Sequence, residues 1–137
     1  MVRVVYNRCF GGFSLSREAC KRYWEIKGQQ VWIENSSWGF NVWLVPPEER
    51  VVQKEWCSMT QEERIDFNQR YSKQTWYHRE ISRHDPILVQ VVEELGGKAN
   101  GDCAKLAIAE ISGPYRIDEY DGFESVETPD SYNWITP

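Results

Sequence analysis

Residues 2–28, VRVVYNRCFGGFSLSREACKRYWEIKG, decide the fold class. Val2 to Tyr6 is rich in β-branched side chains and ends at polar Asn7 and Arg8, the signature of a short strand that is central or paired. Phe10-Gly11-Gly12-Phe13 then turns the chain. From Arg17 to Ile26, Ala19, Tyr23 and Ile26 recur at helical spacing, with Ser16 placed to cap the helix and Gly28 placed to stop it. A strand, a double-glycine loop and a helix are therefore predicted at the front of the chain.

Outward from that unit, Val31–Glu34 and Phe40–Val45 read as two strands of a hairpin around the five residues Asn35-Ser36-Ser37-Trp38-Gly39. Pro46-Pro47 ends the second strand, and Glu48 to Ser58, which has no clean period, reads as a connecting loop. Thr60-Gln61-Glu62-Glu63 is a capping box, and a helix running to Trp76 or His78 is expected after it. Asp85-Pro86 opens a further helix whose apolar face is Ile87, Leu88, Val91, Val92 and Leu95, closed by Gly96-Gly97. Lys105–Ile111 and Tyr115–Tyr120 flank Ser112-Gly113-Pro114 as an expected antiparallel hairpin. Asp121-Gly122 then turns into a short strand over Phe123–Val126. The expected architecture is α+β: a small antiparallel or mixed sheet with two or three helices packed on it. It forms a single domain over residues 1–137, with an irregular acidic tail from about residue 127.

Composition supports a folded chain, since 41% hydrophobic and 27% charged residues match a globular protein and not a disordered one. No apolar run is long enough to span a bilayer, and Met1 to Phe10 lacks the apolar stretch of a signal peptide. A cytoplasmic setting and no membrane partner are the expectation. Cys9, Cys20, Cys57 and Cys103 include no C-x-x-C pair and read as reduced thiols. The net charge of −5 is unevenly spread. Six basic residues stand against two acids between Met1 and Gln30, whereas seven acids stand against Arg116 between Ala109 and Pro137. Either the two ends pair with each other or are simply solvated, or one of them meets a charged partner.

The first candidate site is the loop with Arg8, Gly11, Gly12, Ser14, Ser16 and Arg17. Free amides at a helix start, flexible glycines and nearby cations together suit a phosphate or carboxylate. The plainer reading is a turn anchored by Phe10 and Phe13, and no nucleotide-binding motif is present. His78 and His84 would need a further ligand, Cys57 or Cys103, to hold zinc, and two surface histidines are the simpler expectation. Glu110, Asp118, Glu119, Asp121 and Glu124 form an acidic cluster. Strand alternation lets at most about three of them converge, so a solvated acidic face is expected. An acidic surface imitating a nucleic-acid backbone is a further idea, for which −5 is a modest charge. Trp38 and Trp56 offer a stacking surface for bases, against which a pI near 5.1 argues. No metal or cofactor is implied.

Three blocks are distinctive as a set: Tyr6-Asn7-Arg8-Cys9-Phe10-Gly11-Gly12-Phe13-Ser14-Leu15-Ser16, Arg83-His84-Asp85-Pro86-Ile87-Leu88-Val89 and Tyr115-Arg116-Ile117-Asp118-Glu119-Tyr120-Asp121-Gly122. Together they resemble a family of short proteins associated with tailed phages and large DNA viruses. The resemblance implies an accessory viral gene product and carries over no active-site residues. The function expected is a non-catalytic binding protein that captures a host protein or a small anionic, nucleotide-like ligand. The alternative is a hydrolase acting on a phosphorylated substrate through the histidines or the acidic cluster.

Overall fold

The computed structural model describes residues 1–36, 39–52 and 54–129. Among these described residues the elements are α+β, with three α-helices and seven strands, and every strand pair is antiparallel. By internal contacts the chain divides into two compact units, residues 1–27 with those from 78 onward, and residues 28–77. No helix among the described residues is long and apolar enough to cross a membrane.

The first unit is built on β1 (Val2–Asn7), which is the strand expected there. Its partner is β5 (Leu106–Ile111), in a register running from Val2↔Ile111 to Asn7↔Leu106. The pairing of residues 105–111 with residues 115–120 is therefore corrected. β6 (Arg116–Tyr120) pairs instead with β7 (Phe123–Glu127), across Asp121 and Gly122. Both turn residues have positive φ, 50° and 86°, which gives the turn the twist that a two-residue hairpin requires. The apolar run Leu-Ala-Ile-Ala in β5 suits β1, whose Val4 and Val5 are both fully buried.

Three further elements complete this unit. α1 (Arg17–Lys27) starts where Ser16 Oγ accepts from the Ala19 amide at 3.1 Å, and it buries Ala19, Cys20, Tyr23 and Trp24. Trp24 thus takes the inward place expected of Ile26, which is half-buried. α3 (Pro86–Leu95) starts where Asp85 Oδ1 accepts from the Ile87 amide at 2.8 Å, and it buries Leu88, Val89, Val91 and Val92. The two helices pack together, and the middle of α1 is joined to the two ends of α3 by Tyr23 Oη donating to Asp85 Oδ2 at 2.7 Å and by Arg22 against Glu94 at 2.8 Å. A one-turn 3-10 helix over Gly96–Ala99 follows α3.

The second unit holds β2 (Trp32–Ser36), β3 (Gly39–Trp43), α2 (Gln61–Gln74) and β4 (Thr75–Trp76), with strand order β2-β3-β4. The hairpin ladder continues through Asn35↔Phe40 and Ser36↔Gly39, so Asn35, Ser36 and Gly39 belong to strands and not to the expected five-residue loop. Ser37 and Trp38 lie outside the described residues. Thr60 and Glu63 form the expected capping box. α2 ends at Gln74, before the expected Trp76 or His78, because Thr75 and Trp76 pair with Trp43 and Val42 of β3. The region expected to be a plain loop between β3 and α2 contains one-turn helices at Pro47–Glu49 and Trp56–Ser58. An aromatic series joins the parts: Trp43 edge-on to Tyr71 at 5.4 Å, Tyr71 stacked on Phe67 at 5.7 Å, and Phe67 edge-on to Trp56 at 6.4 Å.

Candidate functional site

Three turns meet at one end of the first unit. They are the double-glycine loop after β1, the turn around Cys103 before β5, and the Asp121-Gly122 turn between β6 and β7. Their backbones touch. A Cβ on Gly11 would lie 2.5 Å from the Cβ of Cys103, and a Cβ on Gly122 would lie 2.7 Å from the Gly11 nitrogen and 3.0 Å from Gly12 Cα. The close approach that glycine allows is thus taken up by the protein's own chain, and Gly122 stands against the amides that an anion at this loop would need.

The other residues of the expected loop site divide between structure and surface. Ser14 is buried, with its hydroxyl 3.4 Å from the Asp102 carbonyl, and its own carbonyl accepts from the Gly101 amide at 3.0 Å. Ser16 caps α1 and donates to the Lys98 carbonyl at 2.6 Å. Both hydroxyls are therefore tied to the strand of chain that follows α3. Arg8 is exposed, and its amide donates to Lys105 O at 2.7 Å, extending the β1–β5 pairing by one residue. Arg17 is exposed on the first turn of α1.

Beneath the turns lies a buried polar network that the sequence reading did not assign. Since Arg8 bonds to Lys105, alternate residues of β1 direct their amides to the opposite edge. The Val5 amide meets the Arg83 carbonyl at 2.8 Å, and the Asn7 amide meets Glu124 Oε1 at 2.9 Å. Asn7 is fully buried. Its Nδ2 donates to the carbonyls of Cys9 and Gly122 at 2.7 and 2.8 Å, while Oδ1 accepts from the Lys105 amide at 2.8 Å. Arg83 holds Glu124 in a two-pronged pair at 2.5 and 2.9 Å, and its guanidinium lies 3.6 Å from the Phe13 ring centroid. One asparagine thus fastens all three turns, and one ion pair fastens β7 to β1 and to the segment leading into α3. The clue in the sequence was Asn7 itself, a polar residue two positions after Val5 on the same inward parity of the strand.

This network corrects the reading of the acidic cluster as a solvated face, because Glu124 is only 5% exposed. Its neighbours are exposed. Glu110 and Asp118 stand 4.0 Å from Arg3 and Arg116 respectively, and Glu119 accepts from the Gly122 amide at 3.2 Å. Arg3 with Glu110 is a contact between the basic front and the acidic back of the chain. Among the described residues no three of His, Cys, Asp and Glu are grouped as a metal site requires.

Above the network the turns carry exposed aromatic side chains. Phe10 is 61% exposed, with its ring 5.3 Å from that of Phe123, which is 36% exposed. Tyr120, paired with Phe123 across the hairpin, is 79% exposed. Large apolar side chains grouped on a surface are informative where single ones are not.

The remaining candidates are placed elsewhere. His78 is half-buried, correcting the expectation of a surface histidine, and burial, aided by Arg79, pushes its pKa down to about 4. His84 is exposed, and its Nδ1 lies 2.5 Å from Tyr115 Oη and 3.3 Å from Ser82 Oγ. The four cysteines are free. Cys20 is buried, and burial pushes its thiol up to about 12. Trp56 is 39% exposed, but Arg64 covers it at 5.1 Å from the ring centroid while donating to the Trp56 carbonyl at 2.8 and 3.1 Å. Its use as a platform for bases would require displacing that arginine, and Trp38 lies outside the described residues. A cavity of about 430 Å³ in the second unit is lined by Arg50, Lys54, Glu63, Asp66, Phe67 and Arg70 among others. Lys54 faces Glu63 at 3.6 Å and Arg70 faces Asp66 at 3.2 Å, so much of its charged lining is paired within the protein. Comparisons with family models, with curated proteins and with solved structures found no match for this chain.

Proposed function

We propose that this chain is a non-catalytic binding protein whose contact surface is the three-turn end of the first unit, with Phe10, Phe123 and Tyr120 as anchors and Arg8 beside them. The observation that carries this reading is the exposed aromatic group held on turns that fit backbone to backbone. Aromatic anchors dominate binding energy at protein interfaces, and a rigid scaffold lowers the entropy lost on association. Of the two ligand classes expected, a protein suits this surface better than a small anion, because Gly122 occupies the approach to the loop amides. The resemblance to proteins of tailed phages and large DNA viruses supports an accessory role, exerted on a host protein in the host cytoplasm.

The test is a capture experiment from host-cell extract with three forms of the protein. The parent should retain a stoichiometric partner, and Phe10→Ser with Tyr120→Ser should lose it. Ile65→Ser, at a residue 50% exposed on α2, should keep it. Retention by the doubly substituted form would sink the proposal. A thermal shift with nucleotides that Arg8→Ala abolishes would favour the small anion instead.

A hydrolase is the second reading, favoured by one observation, the grouping of Ser82 Oγ and Tyr115 Oη around His84 Nδ1. An imidazole beside hydroxyls is the minimum for base-assisted attack. Phosphatase or esterase turnover lost in His84→Gln, with folding intact, would establish it.

A further inference from the structure

We draw no further inference here: the strongest candidate, the outer edge of β5, where the backbone groups of Ile108 and Glu110 face away from β1, carries none because nothing in the structure shows what covers it.

Discussion

At the scale of single residues, Glu124 and Arg83 are the pair whose loss the first unit would feel most. Their side chains are 7% and 16% exposed, so removing one leaves the other charged and poorly solvated. Breaking a buried pair in this way costs about 3–5 kcal/mol, whereas replacing both partners with apolar groups costs less. Urea denaturation of Glu124→Ala should show that loss, and Glu124→Ala combined with Arg83→Met should recover part of it. Equal stability of the single and double variants would mean that a stranded Arg83 charge is not what makes Glu124→Ala costly. His78 gives a second residue-scale prediction. Its folded pKa of about 4 lies below the ordinary 6.5, so the folded protein holds the neutral ring and the unfolded chain takes up the proton first. The stability associated with His78 is therefore intact above pH 6.5 and is lost as the pH falls from there toward 4. Denaturation midpoints across that window should fall more steeply for the parent than for His78→Gln. Parallel curves would remove His78 as the cause.

At the scale of elements, the helix starts follow local rules that a sequence carries openly. Thr60 with Glu63, Ser16 with Ala19, and Asp85 with Ile87 all form the caps that their spacing announces, because capping joins groups two or three residues apart. Asp85 also receives Tyr23 Oη from α1, and burial together with this bond holds the Tyr23 phenol well above its ordinary pKa. Losing the cap alone costs about 0.5–2 kcal/mol. Asp85→Ala should fall at or above the top of that range, since it also strands the Tyr23 hydroxyl. Added to Asp85→Ala, Tyr23→Phe should recover most of the difference between that variant and a plain loss of the cap. No additional loss in Asp85→Ala beyond that range, with Tyr23→Phe neutral, would show that the bond between the helices is immaterial. Strand partners are a different matter. The segment 105–111 has an adjacent candidate partner in 115–120, yet it pairs with β1, about a hundred residues away. Pairing across a sheet is a competition among remote partners, and the buried valines of β1 offer more apolar contact than the charged strand Arg-Ile-Asp-Glu-Tyr.

At the scale of the whole molecule, burial is unevenly shared. Of the buried apolar side chains described, only Val42 and Met59 belong to residues 28–77, and α2 buries none of its own. The first unit instead buries Val4, Val5, Leu15, Leu88 and Val91 almost completely. Local opening is easiest where few apolar side chains are buried. Native-state hydrogen exchange should therefore protect the amides of β1, β5 and α3 more strongly than those of α2 and of the β2–β3 hairpin. Uniform protection across both sets would show that the chain opens only as one cooperative body.

What the sequence by itself determined was the α+β class, the order of helices and strands apart from the short β4, the helix caps, and the Asp121-Gly122 turn. Each of these depends on residues within a few positions of one another, where backbone propensity and short hydrogen bonds decide the outcome. The candidate loop was also legible as a distinctive stretch, with its glycines and flanking phenylalanines. Its use was not, because that depends on what lies against Gly11 and Gly12, and their neighbours are Cys103 and Gly122, some ninety to a hundred and ten positions away. For the same reason Glu124 read as one more surface acid until folding placed it against Arg83 and the Asn7 amide. Whether a charge is solvated or buried, and whether a glycine amide is open or covered, is set by distant chain brought close in space, and only the tertiary structure decides it.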